Sequence, residues 1–96
     1  MKAMTAKQVL LKAAQKIESG RWCQHFYYRG KNACPIGWVR RLTRPGTVRE
    51  EALGFLVNAI GNRHICRWND ARTRTKSQVA AAFRRAAKLT SKRAEA

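Results

Sequence analysis

Acidic residues are scarce in this sequence. Aspartate and glutamate together number five among 96 residues, whereas lysine and arginine number 21, so the formal net charge at pH 7 is +16. Such an excess of one sign repels itself in a compact domain, and a polyanion relieves that repulsion. The composition therefore points to nucleic acid, an anionic membrane surface or an acidic protein as the partner. A merely solvated basic face is the plain alternative.

The same scarcity argues against catalysis. No paired carboxylates, nucleophile elbow or phosphate-binding loop is present, and nothing in the sequence assembles into named catalytic roles. The sequence could form a nucleophilic pair only from a cysteine with His25 or His64. We therefore predict a non-enzymatic protein without a cofactor.

Cysteine is also sparse, and long apolar runs are missing. The three cysteines cannot all pair within the chain, so we expect reduced thiols in a cytoplasmic protein. No apolar run approaches the length of a membrane span, and residues 1–12 lack the continuous apolar stretch of a signal peptide. We expect no membrane association, and the sequence leaves the oligomeric state open.

Hydrophobic residues make up 45% of the chain, enough for the core of one small domain over residues 1–96. Their three- and four-residue spacing predicts about four helices. Capping boxes, in which polar side chains satisfy free N–H groups, mark three starts: Thr5 with Gln8, Thr47 with Glu50, and Thr75 with Gln78. We expect the apolar third helix to be central, an ordered core over residues 5–90 and a frayed tail over residues 91–96.

The segment after the first helix has a different character. The aromatic run over residues 22–28 predicts a strand, followed by a turn and a very short return strand at Ala33 and Cys34. Pro35 then suits the first turn of a short second helix, in which Gly37 lets another element approach closely. The predicted fold is mainly α, with a short β-hairpin after the first helix.

Residues 65–75 predict a bend before the last helix. Asn69 and Asp70 favour a turn, Trp68 supplies a bulky anchor whose indole N–H takes a partner, and Thr75 caps the next helix. The arginines of this stretch are expected to point outward.

Basic residues cluster in three places, and we predict that they contact phosphates: Arg40, Arg41 and Arg44; Arg63, Arg67, Arg72 and Arg74; and Arg84, Arg85, Lys88 and Lys92. Guanidinium groups match phosphate oxygens, and such contacts give affinity without sequence specificity. Tyr27, Tyr28 and Trp38 lie near basic residues and could stack on unpaired bases, although core packing is favoured for Trp38. The sequence predicts a nucleic-acid-binding protein, with DNA favoured over RNA. The alternative is a module that binds an acidic host protein.

A zinc site is the weaker chemical hypothesis. Its candidate ligands are Cys23, His25, Cys34, His64 and Cys66. Cys23 and His25 would share one face of a strand, but no Cys-x-x-Cys spacing is present, and zinc needs four converging ligands. The ordinary interpretation of the three cysteines is that they are small buried core residues, and we predict no metal.

Three motifs run through the chain: Trp22-Cys23-Gln24, Cys34-x-x-Gly37, and Trp68-Asn69-Asp70-x-x-x-Arg74-Thr75-x-x-Gln78-Val79. Over residues 9–89 they resemble an uncharacterised family of small proteins from actinobacteria and their phages. The resemblance implies this architecture and such a source, but no activity. The family usually has Pro-Gly where this chain has Arg72-Thr73, which makes Arg72 the sharpest functional candidate of the bend.

Overall fold

The computed structural model describes residues 4–95, and the side chains of residues 4–91. The elements are α1 (Ala6–Glu18), β1 (Tyr28–Arg29), β2 (Asn32–Ala33), α2 (Pro35–Leu42), α3 (Thr47–Ile60), α4 (Ile65–Asn69) and α5 (Lys76–Glu95). The predicted class, mainly helical with a hairpin after the first helix, is confirmed. There is one helix more than expected, because the predicted bend contains the short α4. None of the helices in residues 4–95 is long and apolar enough to cross a bilayer.

The first helix begins and ends as its sequence predicts. Thr5 accepts a hydrogen bond from the Gln8 N–H and the Gln8 side chain accepts one from the Thr5 N–H, which completes the capping box. Gly20, just beyond the helix, has a φ of +95°. One face of α1 is fully buried: Val9, Leu10, Ala13, Ala14 and Ile17.

The core lies mainly between α1 and α5, and the prediction of a central α3 was wrong. Phe83 of α5 is fully buried, and alanines on α1 and α5 let the two backbones approach. In α3 only Ala52 and Leu56 are buried. Its other apolar residues are spread around the helix, so most of them remain half-buried at the side of the core.

The capping box predicted at Thr47 is also absent. Gly46 occupies the N-cap position with a φ of +146°, and it offers no side-chain acceptor. The loop before α3 is held instead by Arg49, whose Nε donates to Thr43 Oγ1 at 2.9 Å and whose Nη2 donates to the Thr43 carbonyl at 2.8 Å. The third predicted box, in which Thr75 and Gln78 bond each other's N–H groups, is present.

The hairpin is shorter than the aromatic run suggested. Strand pairing is limited to Tyr28 opposite Ala33 and Arg29 opposite Asn32, with an isolated bridge from Trp22 to Ala33. Residues 23–27 form a loop instead of a strand. The α5 backbone is helical to Glu95, and fraying of residues 91–96 stays a prediction, with Ala96 outside the described residues.

Candidate nucleic-acid interface

Asn69 is the buried link between two distant segments. The Trp22 indole N–H donates to Asn69 Oδ1 at 2.6 Å, and Asn69 Nδ2 donates to the Cys23 carbonyl at 3.1 Å. Asn69 is fully buried, so these bonds replace the water that its amide loses. The end of α4 is thereby joined to the start of the loop over residues 23–27.

Neighbouring bonds extend this junction. Gln24 Nε2 donates to the carbonyls of Asn69 at 2.8 Å and Ala71 at 3.0 Å. The His25 N–H donates to the Asp70 carboxylate at 2.8 Å. His25 has a φ of +72°, which is uncommon for a residue with a side chain. The bond to Asp70 stabilises this conformation, which ends any extended strand at His25.

The other end of the loop rests on α2. The Tyr27 carbonyl accepts a hydrogen bond from the Cys34 N–H at 3.1 Å. It lies so close to Gly37 that a β-carbon there would be 2.2 Å from the Tyr27 oxygen. The expectation that another element approaches Gly37 is confirmed, and the approaching element is the backbone of this loop.

The end of this loop and the first residue of β1 present three consecutive aromatic side chains to solvent. Phe26, Tyr27 and Tyr28, together called the aromatic loop below, are 58%, 48% and 46% exposed. Large exposed apolar groups in contiguous positions mark binding surfaces more often than isolated ones do. The Arg40 guanidinium lies 5.7 Å from the Tyr27 ring centroid, and that of Arg41 lies 4.8 Å from the Tyr28 ring centroid.

Arg41 is engaged within the chain. Its two terminal nitrogens donate to the carbonyls of Gly30 at 2.8 Å and Lys31 at 2.7 Å, the two residues of the hairpin turn. Its guanidinium also lies 5.2 Å from the Trp38 ring centroid. Arg41 therefore fixes the hairpin against α2, which leaves it less available to a phosphate than its position in the sequence suggests.

Two further arginines of the predicted phosphate set have internal partners. Arg74 Nε donates to the Trp68 carbonyl at 2.9 Å, and its guanidinium lies 4.1 Å from the Trp68 ring centroid. Arg84 donates to both carboxylate oxygens of Glu18, with Nε at 3.1 Å. The hydrogen bond from Arg84 holds the pKa of the Glu18 carboxyl below its usual value.

The rest of the predicted set remains available. Within the part of the chain that the structure describes, these side chains are exposed and engage in no hydrogen bond or ion pair, and they are called the exposed set below: Arg40, Arg44, Arg63, Arg67, Arg72, Arg85 and Lys88. The side chain of Lys92, which completed the predicted set, lies outside the described residues. The exposed set comes from α2 and its following loop, from α4 and the residues that flank it, and from α5.

Trp38 does not belong to the surface. It is 5% exposed, and its indole N–H donates to the Arg21 carbonyl at 2.7 Å. Stacking of Trp38 on a base is therefore excluded. The expectation that Trp38 packs in the core is confirmed. The Phe26 ring is more exposed than the rings of Trp38, Tyr27 and Tyr28, although the sequence did not mark Phe26 as a candidate. The signal that could have identified it is the aromatic run over residues 22–28, which lacks the alternation of polar and apolar residues that a half-buried strand shows.

The five candidate zinc ligands do not form a metal site. Among the described residues, no three histidine, cysteine, aspartate or glutamate side chains lie close enough to hold one ion. Cys23 is buried whereas the His25 side chain is 67% exposed, because the segment is a loop and the two do not share a strand face. Burial raises the pKa of the Cys23 thiol, and raises that of Cys34 to about 11. These two thiols are protonated at neutral pH, which disfavours both metal binding and nucleophilic attack.

The fold and surface define a small, mainly helical, strongly basic protein whose motif residues hold a loop of exposed aromatic rings. A model of a family of unknown function, DUF6197, matches residues 1–89, and the chain belongs to this family. The resemblance to an uncharacterised family is thereby confirmed, while its actinobacterial or phage source stays a prediction. No curated protein and no solved structure matches the chain.

Proposed function

We propose that the protein binds nucleic acid, with DNA favoured, mainly through contacts of the exposed set with phosphates. One observation carries this proposal: a formal charge of +16 accompanies arginines that have no acidic partner in the described chain. An arginine without an ion-pair partner has its guanidinium available to bind phosphate oxygens in a fork. The protein acts without catalysis, in the cytoplasm, and is phage-encoded.

Phosphate binding has a measurable signature. Each contact releases condensed counterions, so the logarithm of the association constant falls linearly with the logarithm of salt concentration. Fluorescence anisotropy of labelled duplex DNA, single-stranded DNA and structured RNA, each at about 50 and about 200 mM salt, measures this fall. No binding to any of the three at the lower salt would contradict the proposal.

A matched pair of variants separates the contribution of phosphate contacts by the exposed set from the general effect of net charge on binding. Arg63→Ala combined with Arg67→Ala removes two charges of the exposed set, one just before α4 and one within it. Lys12→Ala combined with Lys16→Ala removes the same charge from α1, outside that set. The proposal expects the arginine variant to lose more affinity and more of the salt dependence than the lysine variant.

The second candidate is a module that binds an acidic host protein. The aromatic loop with Arg40 beside it supports this candidate, since tyrosine and arginine dominate the energetics of protein interfaces. A pull-down from host lysate treated with nuclease tests it. A stoichiometric acidic protein that stays bound after nucleic acid is removed would favour this candidate over the first.

A further inference from the structure

The aromatic loop is exposed and at the same time held in place. Three aromatic side chains stand side by side in sequence, each about half exposed. The backbone beneath them is fixed at one end by the bond from His25 to Asp70 and at the other by the bond from Cys34 to Tyr27. A surface already fixed in its binding form loses little conformational entropy when a ligand docks.

The surroundings of the loop are mainly basic, although the Asp70 carboxylate lies at its base, where it accepts the His25 N–H. Residues 21–46 contain six arginines or lysines and no acidic residue. Arg29 follows the loop in β1, Lys31 lies in the hairpin turn, and both are exposed. Arg40 lies over the Tyr27 ring. Exposed rings in a cationic surface are the combination that binds a strand with unpaired bases, since rings stack on bases while cations contact the backbone.

We infer that the aromatic loop is a stacking site for unpaired bases, so that the protein prefers single-stranded nucleic acid to duplex. In a duplex the base faces are covered by their neighbours, whereas in a single strand they are accessible to aromatic side chains. The inference rests on the proposed function and sharpens it. Phosphate contacts supply affinity for any strand, and the aromatic loop supplies the preference for unpaired bases.

The test compares two labelled strands of about twelve nucleotides, a site size typical of single-strand binders. One is oligodeoxythymidine, and the other is an abasic deoxyribose-phosphate strand of equal length and charge. Anisotropy titrations at low salt use the wild type, Phe26→Ala, Tyr28→Ala and Tyr28→Phe. The last variant keeps the ring and removes only the hydroxyl. Circular dichroism melts confirm that each variant is folded.

The inference predicts that the wild type binds oligodeoxythymidine more tightly than the abasic strand. Phe26→Ala and Tyr28→Ala each lose about fivefold or more in affinity for the base-bearing strand, the low end of base–aromatic stacking, with little change for the abasic strand. Tyr28→Phe retains wild-type affinity. If Tyr28→Ala unfolds, the comparison of Phe26→Ala with Phe26→Trp, which keeps a stacking ring, decides the question.

The failures of the two proposals differ. Equal affinity of the wild type for both strands, unaffected by loss of a ring, overturns the stacking site and leaves phosphate binding intact. Tighter binding to duplex than to single strand also overturns it. Failure to bind these strands, duplex DNA and structured RNA alike at low salt overturns the proposed function, and the stacking site with it.

Discussion

Trp22 and Asn69 are 47 residues apart in the chain, yet the indole N–H of one donates to the side-chain oxygen of the other at 2.6 Å. This bond joins two of the sequence motifs in space, Trp22-Cys23-Gln24 and the one that begins at Trp68. Around it, Gln24 and Asp70 extend the connection between the loop over residues 23–27 and the end of α4. The motif residues thus support the aromatic loop. They have a structural role, whereas the residues that they position are exposed aromatic side chains.

Asn69→Ala should destabilise the protein by about 3 kcal/mol, because the Trp22 indole and the Cys23 carbonyl each lose a hydrogen-bond partner whose side chain is fully buried. Urea unfolding followed by circular dichroism measures this loss. Asn58→Ala, at an exposed position of α3, is the matched control and should change stability by less than about 0.5 kcal/mol. Equal effects of the two substitutions would show that Asn69 has no special structural role.

Two glycines should respond to alanine with opposite signs. Gly37→Ala places a β-carbon 2.2 Å from the Tyr27 carbonyl oxygen, so it should cost about 1 to 3 kcal/mol and displace the aromatic loop. Gly54 lies within α3 with open space around it, so Gly54→Ala should stabilise by up to about 1 kcal/mol through helix propensity. Thermal unfolding of both variants checks the signs, and stabilisation by Gly37→Ala would refute the close approach.

Asp70 and Arg72 should separate structure from binding. Asp70→Ala removes the acceptor of the His25 N–H and should cost about 1 kcal/mol in unfolding free energy. Arg72→Ala removes an exposed cation, so it should preserve the melting temperature and reduce the salt slope of binding by about 1. Melting curves and anisotropy titrations on both variants test the division. It fails if the two substitutions lower the melting temperature equally.

The Cys34 thiol should make stability fall at alkaline pH. Burial raises its pKa from 9.0 to about 11 in the folded state, so the folded protein holds the proton more tightly than the unfolded chain. The resulting stabilisation is fully present below pH 9 and is lost as pH rises towards about 11. Unfolding free energies of the wild type and Cys34→Ala across this range isolate the thiol from tyrosines and lysines. The wild type should show the steeper decline, and parallel curves would contradict the assignment.

Local signals in the sequence predicted much of the fold. Thr5 with Gln8 and Thr75 with Gln78 form the predicted caps because each pair lies within one helical turn. The pair beginning at Thr47 failed because Gly46, one residue earlier, occupies the N-cap position. The strand over residues 22–28 failed because long-range bonds, such as that from Gln24 to the Asn69 carbonyl, outweigh the local preference of aromatic residues for strands.

The candidate site was less predictable, since exposure and pairing depend on residues distant in the sequence. Arg84 was predicted to contact phosphate, but its partner Glu18 lies 66 positions away. Arg41 was also predicted to contact phosphate, yet it bonds two carbonyls of the hairpin turn. Composition establishes how many cations the chain has, whereas only the tertiary structure shows which of them remain unpaired.

The salt dependence of binding to single-stranded DNA tests the central claim most directly. The association constant of the wild type for oligodeoxythymidine, measured from about 50 to about 200 mM salt, should fall along a straight logarithmic line with a slope of about −0.7 for each phosphate contacted. Several contacts by the exposed set predict a slope steeper than about −2. Affinity that does not change with salt, or no binding at the lowest salt, would contradict the account.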